Sequence, residues 1–193
     1  MTKTTKLLAA AAAAATTLAG VVYAADQDVE ADAEFRAALT TTLNNDIDFS
    51  SAGVIEFSGT PGIGDTVQLG TDGNIAYGGS AFSGPATGQV GDFSVNGDGA
   101  SPVEISCTTT ATLENGGQTV TMDSIETAFN TGAAFGGGYS CAGLGTTPDV
   151  QTLGGSDNIL VGGQLVGNGA ITDGVYSTTT GTGVPVTVRV LYQ

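Results

Sequence analysis

From residue 25 onward the chain alternates. Val29, Ala31, Ala33, Phe35, Ala37 and Leu39 fall on every second position, with Asp28, Glu30, Asp32, Glu34 and Arg36 in the gaps. A period of two places the apolar set on one face of a strand, whereas helical spacing would mix acids into it. The last residues repeat the pattern: Val184, Val186, Val188, Val190 and Tyr192 alternate with Pro185, Thr187, Arg189 and Leu191, so a closing strand is predicted with a proline tolerated at its start. Between these ends, short apolar runs are separated by turn chemistry. Thr71-Asp72-Gly73-Asn74 divides Val67-Gln68-Leu69 from Ile75-Ala76-Tyr77, Asn96-Gly97-Asp98-Gly99 divides Phe93-Ser94-Val95 from Val103-Glu104-Ile105, and Glu114-Asn115-Gly116-Gly117 divides Leu113 from Val120-Thr121-Met122. Runs bounded in this way predict hairpins. Val103, Ile105 and Cys107 share a face, which points the cysteine inward. Residues 129–155 are Gly-rich with little periodicity and predict a long loop or irregular insert. Many short strands with almost no helical signal predict an all-β antiparallel sandwich of immunoglobulin-like or pilin-like topology, with a solenoid as the rival.

The first 24 residues read as an address. Lys3 and Lys6 precede an Ala-rich apolar run from Leu7 to Leu18, and Val22-Tyr23-Ala24 supplies small residues for a signal peptidase. Residues 1–24 are therefore expected to be a secretory signal peptide, leaving 25–193 as one domain. The alternative, a membrane anchor, sits at the margin of spanning length, and no later stretch is apolar enough to span. Export implies an oxidising space, so Cys107 and Cys141 are expected to form a disulfide that ties the insert back.

Composition narrows the chemistry. The chain has no His and no Trp, with Lys+Arg 4 against Asp+Glu 19 and a formal net charge of −15. Without imidazole the common Ser and Cys triads and the His-liganded catalytic zinc centres are excluded, so an enzyme is not expected, and no cofactor is. The charge would repel nucleic acid and anionic bilayers. Loose calcium chemistry is conceivable at Asn45-Asp46-Ile47-Asp48 and at Asn96-Gly97-Asp98-Gly99, although neither has EF-hand spacing and turn Asp residues more often cap their own backbone. Residues 154–163 look like one turn of a calcium-binding β-roll, but one residue short and occurring once, so a Gly-flanked strand is the expectation there. No metal site is expected from these.

Asp46-Ile47-Asp48-Phe49, Phe93-Ser94-Val95-Asn96-Gly97, Ile105, Leu160-Val161-Gly162-Gly163-Gln164-Leu165, Gly174-Val175-Tyr176 and Val188-Arg189-Val190-Leu191-Tyr192 together resemble the bacterial domain of unknown function catalogued as 4402, over roughly residues 33 to 193. That family usually has Gly where this chain has Ser50, and commonly lacks a cysteine pair. It is similar in turn to spore-coat U and chaperone-usher pilin domains. The resemblance implies an exported structural protein with no catalytic residues to carry over. Two functions are expected to compete. One is a subunit of an extracellular surface assembly, a pilus-like fibre or biofilm matrix, that self-associates by strand addition; the other is a monomeric secreted adhesive module, assisted by calcium. Residues 25–39 separate them, acting either as a strand donated to a neighbour or as the first strand of their own sandwich.

Overall fold

A long central strand organises the molecule. The computed structural model describes residues 37–169 and 171–193, and among these it contains strands and turns but no helix. The strands are β1 Thr40–Asn45, β2 Glu56–Phe57, β3 Thr66–Leu69, β4 Ile75–Gly78, β5 Phe82–Ser83, β6 Gly91–Asn96, β7 Pro102–Cys107, β8 Ala111–Asn115, β9 Gln118–Phe129, β10 Tyr139–Ser140, β11 Asp149–Thr152, β12 Ser156–Val166 and β13 Val188–Tyr192. Every pairing between them is antiparallel. On one side β12 pairs with β6 through residues 156–161 and with β3 through 163–166; on the other it pairs with β9. Beyond these, β1 borders β6, β4 borders β3, and β8 and β10 border β9. A second sheet has the order β11-β7-β13, and β2 with β5 makes a small ribbon.

The core lies on the inner face of the large sheet. Val95, Ile159, Val161, Val67, Leu69, Met122 and Ile125 are buried there together with Val103, Ile105 and Leu153, and Val188, Val190 and Tyr192 of the second sheet pack against them half-buried. The arrangement is sandwich-like, with alternating strands meeting through their apolar faces. One bulge sets the register. Val120 and Met122 face inward, so an unbroken period of two would send Ser124 and Glu126 into the core as well. Instead the β12–β9 register shifts between Gly162 and Gln164, and Ser124 adopts φ 47°. The extra residue resets the alternation, so that Ile125 and Thr127 face in and Glu126 turns to the opposite face.

Two predicted hairpins form. Residues 70–74 join β3 to β4, with Asp72 accepting from the N–H of Asn74 at 3.0 Å. Gly116 and Gly117 join β8 to β9 at φ 56° and 89°, the doubly left-handed turn that suits a two-residue loop. The third does not. Asn96-Gly97-Asp98-Gly99 carries the chain from β6 in the large sheet to β7 in the second, so it is a crossing between sheets. The Asn-Gly chemistry specified a reversal but not its partner.

Two further expectations are corrected. The segment 129–155 is not structureless: β10 pairs with Thr127 and Glu126, and β11 pairs with β7, because even Gly-rich chain pairs its backbone when it lies along a sheet edge. The closing strand begins at Val188, not Val184; Val184 makes an isolated bridge to Thr112 of β8 and is 51% exposed, while 188–192 pair with β7. Pro185 and the two residues after it carry the chain from one sheet to the other. Residues 154–163 enter a Gly-flanked strand, as expected: β12 is antiparallel to all its neighbours, whereas a β-roll stacks parallel strands.

Candidate functional site

Of the predicted first strand, Val29, Ala31, Ala33 and Phe35 lie outside the described residues, as does the whole predicted signal peptide. Ala37 and Leu39 are described and belong to no strand. The Tyr192 hydroxyl donates to the carbonyl of Ala37 at 2.9 Å and Leu39 packs half-buried on the core, so the chain is fastened beside the end of β13 before it becomes β1. Sequence reasoning missed β1. Its sequence, Thr-Thr-Thr-Leu-Asn-Asn, has no apolar alternation to betray it, and all six residues are exposed. Among the described residues it pairs only with β6, which leaves its outer edge open. That edge carries no charge, no proline and no lysine, the usual devices that discourage a second chain from pairing there.

The disulfide joins Cys107, 2% exposed at the end of β7, to Cys141, which follows β10, with Cα atoms 5.2 Å apart. It ties the second sheet to the insert bordering β9. In the loop-entropy account a bridge spanning 34 residues stabilises the fold by roughly 3 to 4 kcal/mol. The double variant Cys107→Ser/Cys141→Ser should therefore melt well below the oxidised protein, and reductant should lower the melting temperature of the parent but not of the variant.

The insert also covers a carboxylate that no pattern in the sequence singles out. Glu126 is 2% exposed, and its Oε2 accepts the N–H groups of Gly136 and Gly138 at 2.9 and 3.3 Å. Its Oε1 has no partner among the described residues. Burial raises its pKa above the ordinary carboxylate value and the Asp72 charge adds to this, against the lowering by N–H groups of Gly136, Gly138 and Thr71. The covering loop is latched to the β3–β4 turn: Thr71 Oγ1 donates to Ala133 O at 3.2 Å and accepts from Ala133 N at 2.9 Å, while Asp72 N donates to the same carbonyl. Beside it an open cleft of about 550 Å³ is lined by Asn45, Asp72, Gln89 and Asp92 among others.

In the acidic segments considered as loose calcium sites, Asp48 and Asp98 bond to neighbours in their own turns. Asp48 Oδ1 accepts from the N–H and hydroxyl of Ser50, both at 2.8 Å, and Asp98 Oδ2 accepts from the Ser101 hydroxyl. Among the described residues no group of three or more His, Cys, Asp or Glu is placed to hold a metal ion.

A second cavity is apolar. The second sheet covers only part of the inner face, and where Val67, Leu113, Val120 and Leu165 continue that face, the cover is supplied by residues 47–57, Phe82 and residues 171–176. A groove of about 380 Å³ remains between them. Val54 and Val175 stand on its lining 76% and 85% exposed.

The family model of the domain of unknown function (DUF4402) matches residues 39–192, from the residue before β1 to the last residue of β13. The chain belongs to the DUF4402 family. The resemblance seen in the sequence is thus confirmed at family level, and the DUF4402 match spans every strand described above. No curated protein and no solved structure matches the chain. Ser50 donates both its N–H and its hydroxyl to Asp48, and its carbonyl accepts from Gly53 N at 3.0 Å. Among the described residues no helix is long and apolar enough to cross a membrane.

Proposed function

We propose that the protein is a secreted structural subunit of an extracellular surface assembly, a pilus-like fibre or matrix, whose copies join by strand addition. The observation that supports this reading most directly is β1: six exposed, uncharged residues at the border of the large sheet, with an edge open among the described residues. An open edge offers a row of N–H and C=O groups that gain by pairing with another chain. The alternating run Val29, Ala31, Ala33 and Phe35 precedes it in the sequence and would supply the strand that adds to a neighbour's edge, while Ala37 and Leu39 stay fastened on their own domain. No reaction is assigned to the protein, and its export rests on the signal peptide read in residues 1–24.

Thr41→Lys/Leu43→Lys tests the edge. Both positions are exposed, so the fold and its melting temperature should change by no more than about 0.5 kcal/mol equivalent. The parent is expected to form polymers, measured by size exclusion and electron microscopy, and the variant is expected to form none. Phe35→Asp should do the same if residues 29–35 are the donor. Polymers persisting in the lysine variant would remove the edge from the reading.

A further inference from the structure

The apolar groove is independent of the β1 edge and asks for a different occupant. Its floor is a sheet face, Val67, Leu113, Val120 and Leu165, and its rim bears the bare Val54 and Val175. A soluble fold ordinarily closes over such side chains; leaving two large aliphatics exposed at the mouth of an apolar cavity forgoes burial that a ligand would restore. The volume lies in the range of small-molecule sites, apolar walls with few polar groups.

The polar groups indicate the head of that ligand. Among the described residues the lining contains two carboxylates, Asp48 and Asp173, and no cationic side chain. Tyr176 adds an aromatic ring whose hydroxyl is engaged with Thr172, donating to its carbonyl at 3.2 Å and accepting its N–H at 2.9 Å. Carboxylates and a ring face favour a cation and disfavour an anion. A second copy fits poorly. Residues 29–35 of a neighbour would bring Glu30, Asp32 and Glu34 alongside Asp48 and Asp173, on a chain already at −15.

We propose that this groove binds a single aliphatic chain carrying a cationic head group, the chain against the floor and the head beside Asp48 and Asp173. The test uses the purified protein with Nile red as reporter, displaced by dodecyltrimethylammonium, dodecanol or dodecanoate below their micellar concentrations. One saturable site is expected, with dodecyltrimethylammonium displacing at a concentration at least tenfold below dodecanoate and dodecanol between them. Val54→Glu/Val175→Glu should weaken dye binding at least tenfold; both positions are exposed, and an unchanged melting temperature verifies the fold. Asp48→Asn/Asp173→Asn should retain dye binding and bring the ammonium and carboxylate ligands within about twofold of one another. No saturable binding, binding indifferent to the valine variants, or a preference for dodecanoate would overturn the proposal. So would a change of oligomeric state in the valine variant, measured by sedimentation, since the groove would then be an interface between copies. Failure here leaves the strand-addition reading intact, because the lysine variant of β1 tests that separately.

Discussion

Gly162→Ala should destabilise the protein by about 3 kcal/mol or more, a large share of the roughly 5 to 15 kcal/mol that holds a domain together. Gly162 sits in the middle of β12, and the chain leaving β3 passes directly over it. A Cβ there would overlap the carbonyl oxygen of Leu69 and lie 3.1 Å from both the carbonyl carbon of Gly70 and the nitrogen of Thr71. These are backbone atoms in a paired sheet and cannot rotate away, so the two strands must separate. Gly132 presents the same problem from the insert: its Cβ would lie 2.7 Å from the carbonyl carbon of Thr71. Gly116→Ala is the control. It has φ 56° but open space around it, so only the backbone preference is lost, about 1 kcal/mol. For a domain of this size the expected fall in melting temperature is about 6 to 12 °C for Gly162→Ala and a third of that for Gly116→Ala. Equal shifts for the two would mean that close approach over Gly162 is not what the glycine secures.

The same residues show what local pattern can and cannot say. The apolar positions of β3, β6, β7 and β13 were legible because the side chains each strand turns to the core are apolar and those between them mostly polar, which writes a period of two into the sequence. The β3–β4 and β8–β9 turns were legible because left-handed backbone demands Gly or Asn. β1 left no trace, since a strand exposed on both faces has no burial to record. The reach of β9 was hidden by the bulge at Ser124, which shifts the alternation by one residue midway. Asn96 to Gly99 signalled a turn, but a turn within a sheet and a turn between sheets use the same residues. The disulfide was expected from the export read in residues 1–24 and from the inward face of β7, although the sequence could not show that Cys141 follows a strand bordering β9.

The candidate sites were legible only in part, for a related reason. The groove is built from separated segments, residues 47–57 and 171–176 laid against single side chains of β3, β5, β8, β9 and β12, and the apolar ones among them read locally as ordinary core. Glu126 reads as the solvent-facing member of Ile125-Glu126-Thr127, and only the fold of the insert across it makes it buried. The Gly-rich composition of 132–138 was the available signal: a segment with so few side chains can lie flat on another backbone, and what it covers then depends on the tertiary fold.

That burial gives the last expected result, a pH dependence whose sign differs between two acids. The raised folded-state pKa of Glu126 means that the native protein holds this proton more tightly than the unfolded chain, whose value is near 4.5. Its favourable contribution is therefore complete below that value and is lost as pH rises through the folded-state pKa, where an ionised carboxylate must be kept under the 132–138 loop. Asp65 works the other way. N–H groups of Gly62, Ser80 and Ala81 donate to it at 2.9, 2.9 and 3.1 Å and hold its pKa below the ordinary 3.8, so its contribution is present above that value and disappears as pH falls through the folded-state pKa. Thermal melts from pH 3 to 8 should rise out of the acid range and then decline as Glu126 ionises. Glu126→Gln should flatten the decline and, at pH 8, melt above the parent by the equivalent of about 1 to 3 kcal/mol, the usual cost of an incompletely paired buried charge. Glu126→Ala should not share that gain, because it leaves the Gly136 and Gly138 N–H groups without their acceptor and loosens the loop at every pH. If Glu126→Gln keeps the parent's decline on the alkaline side, the slope originates elsewhere and the covered carboxylate is not the group that sets it.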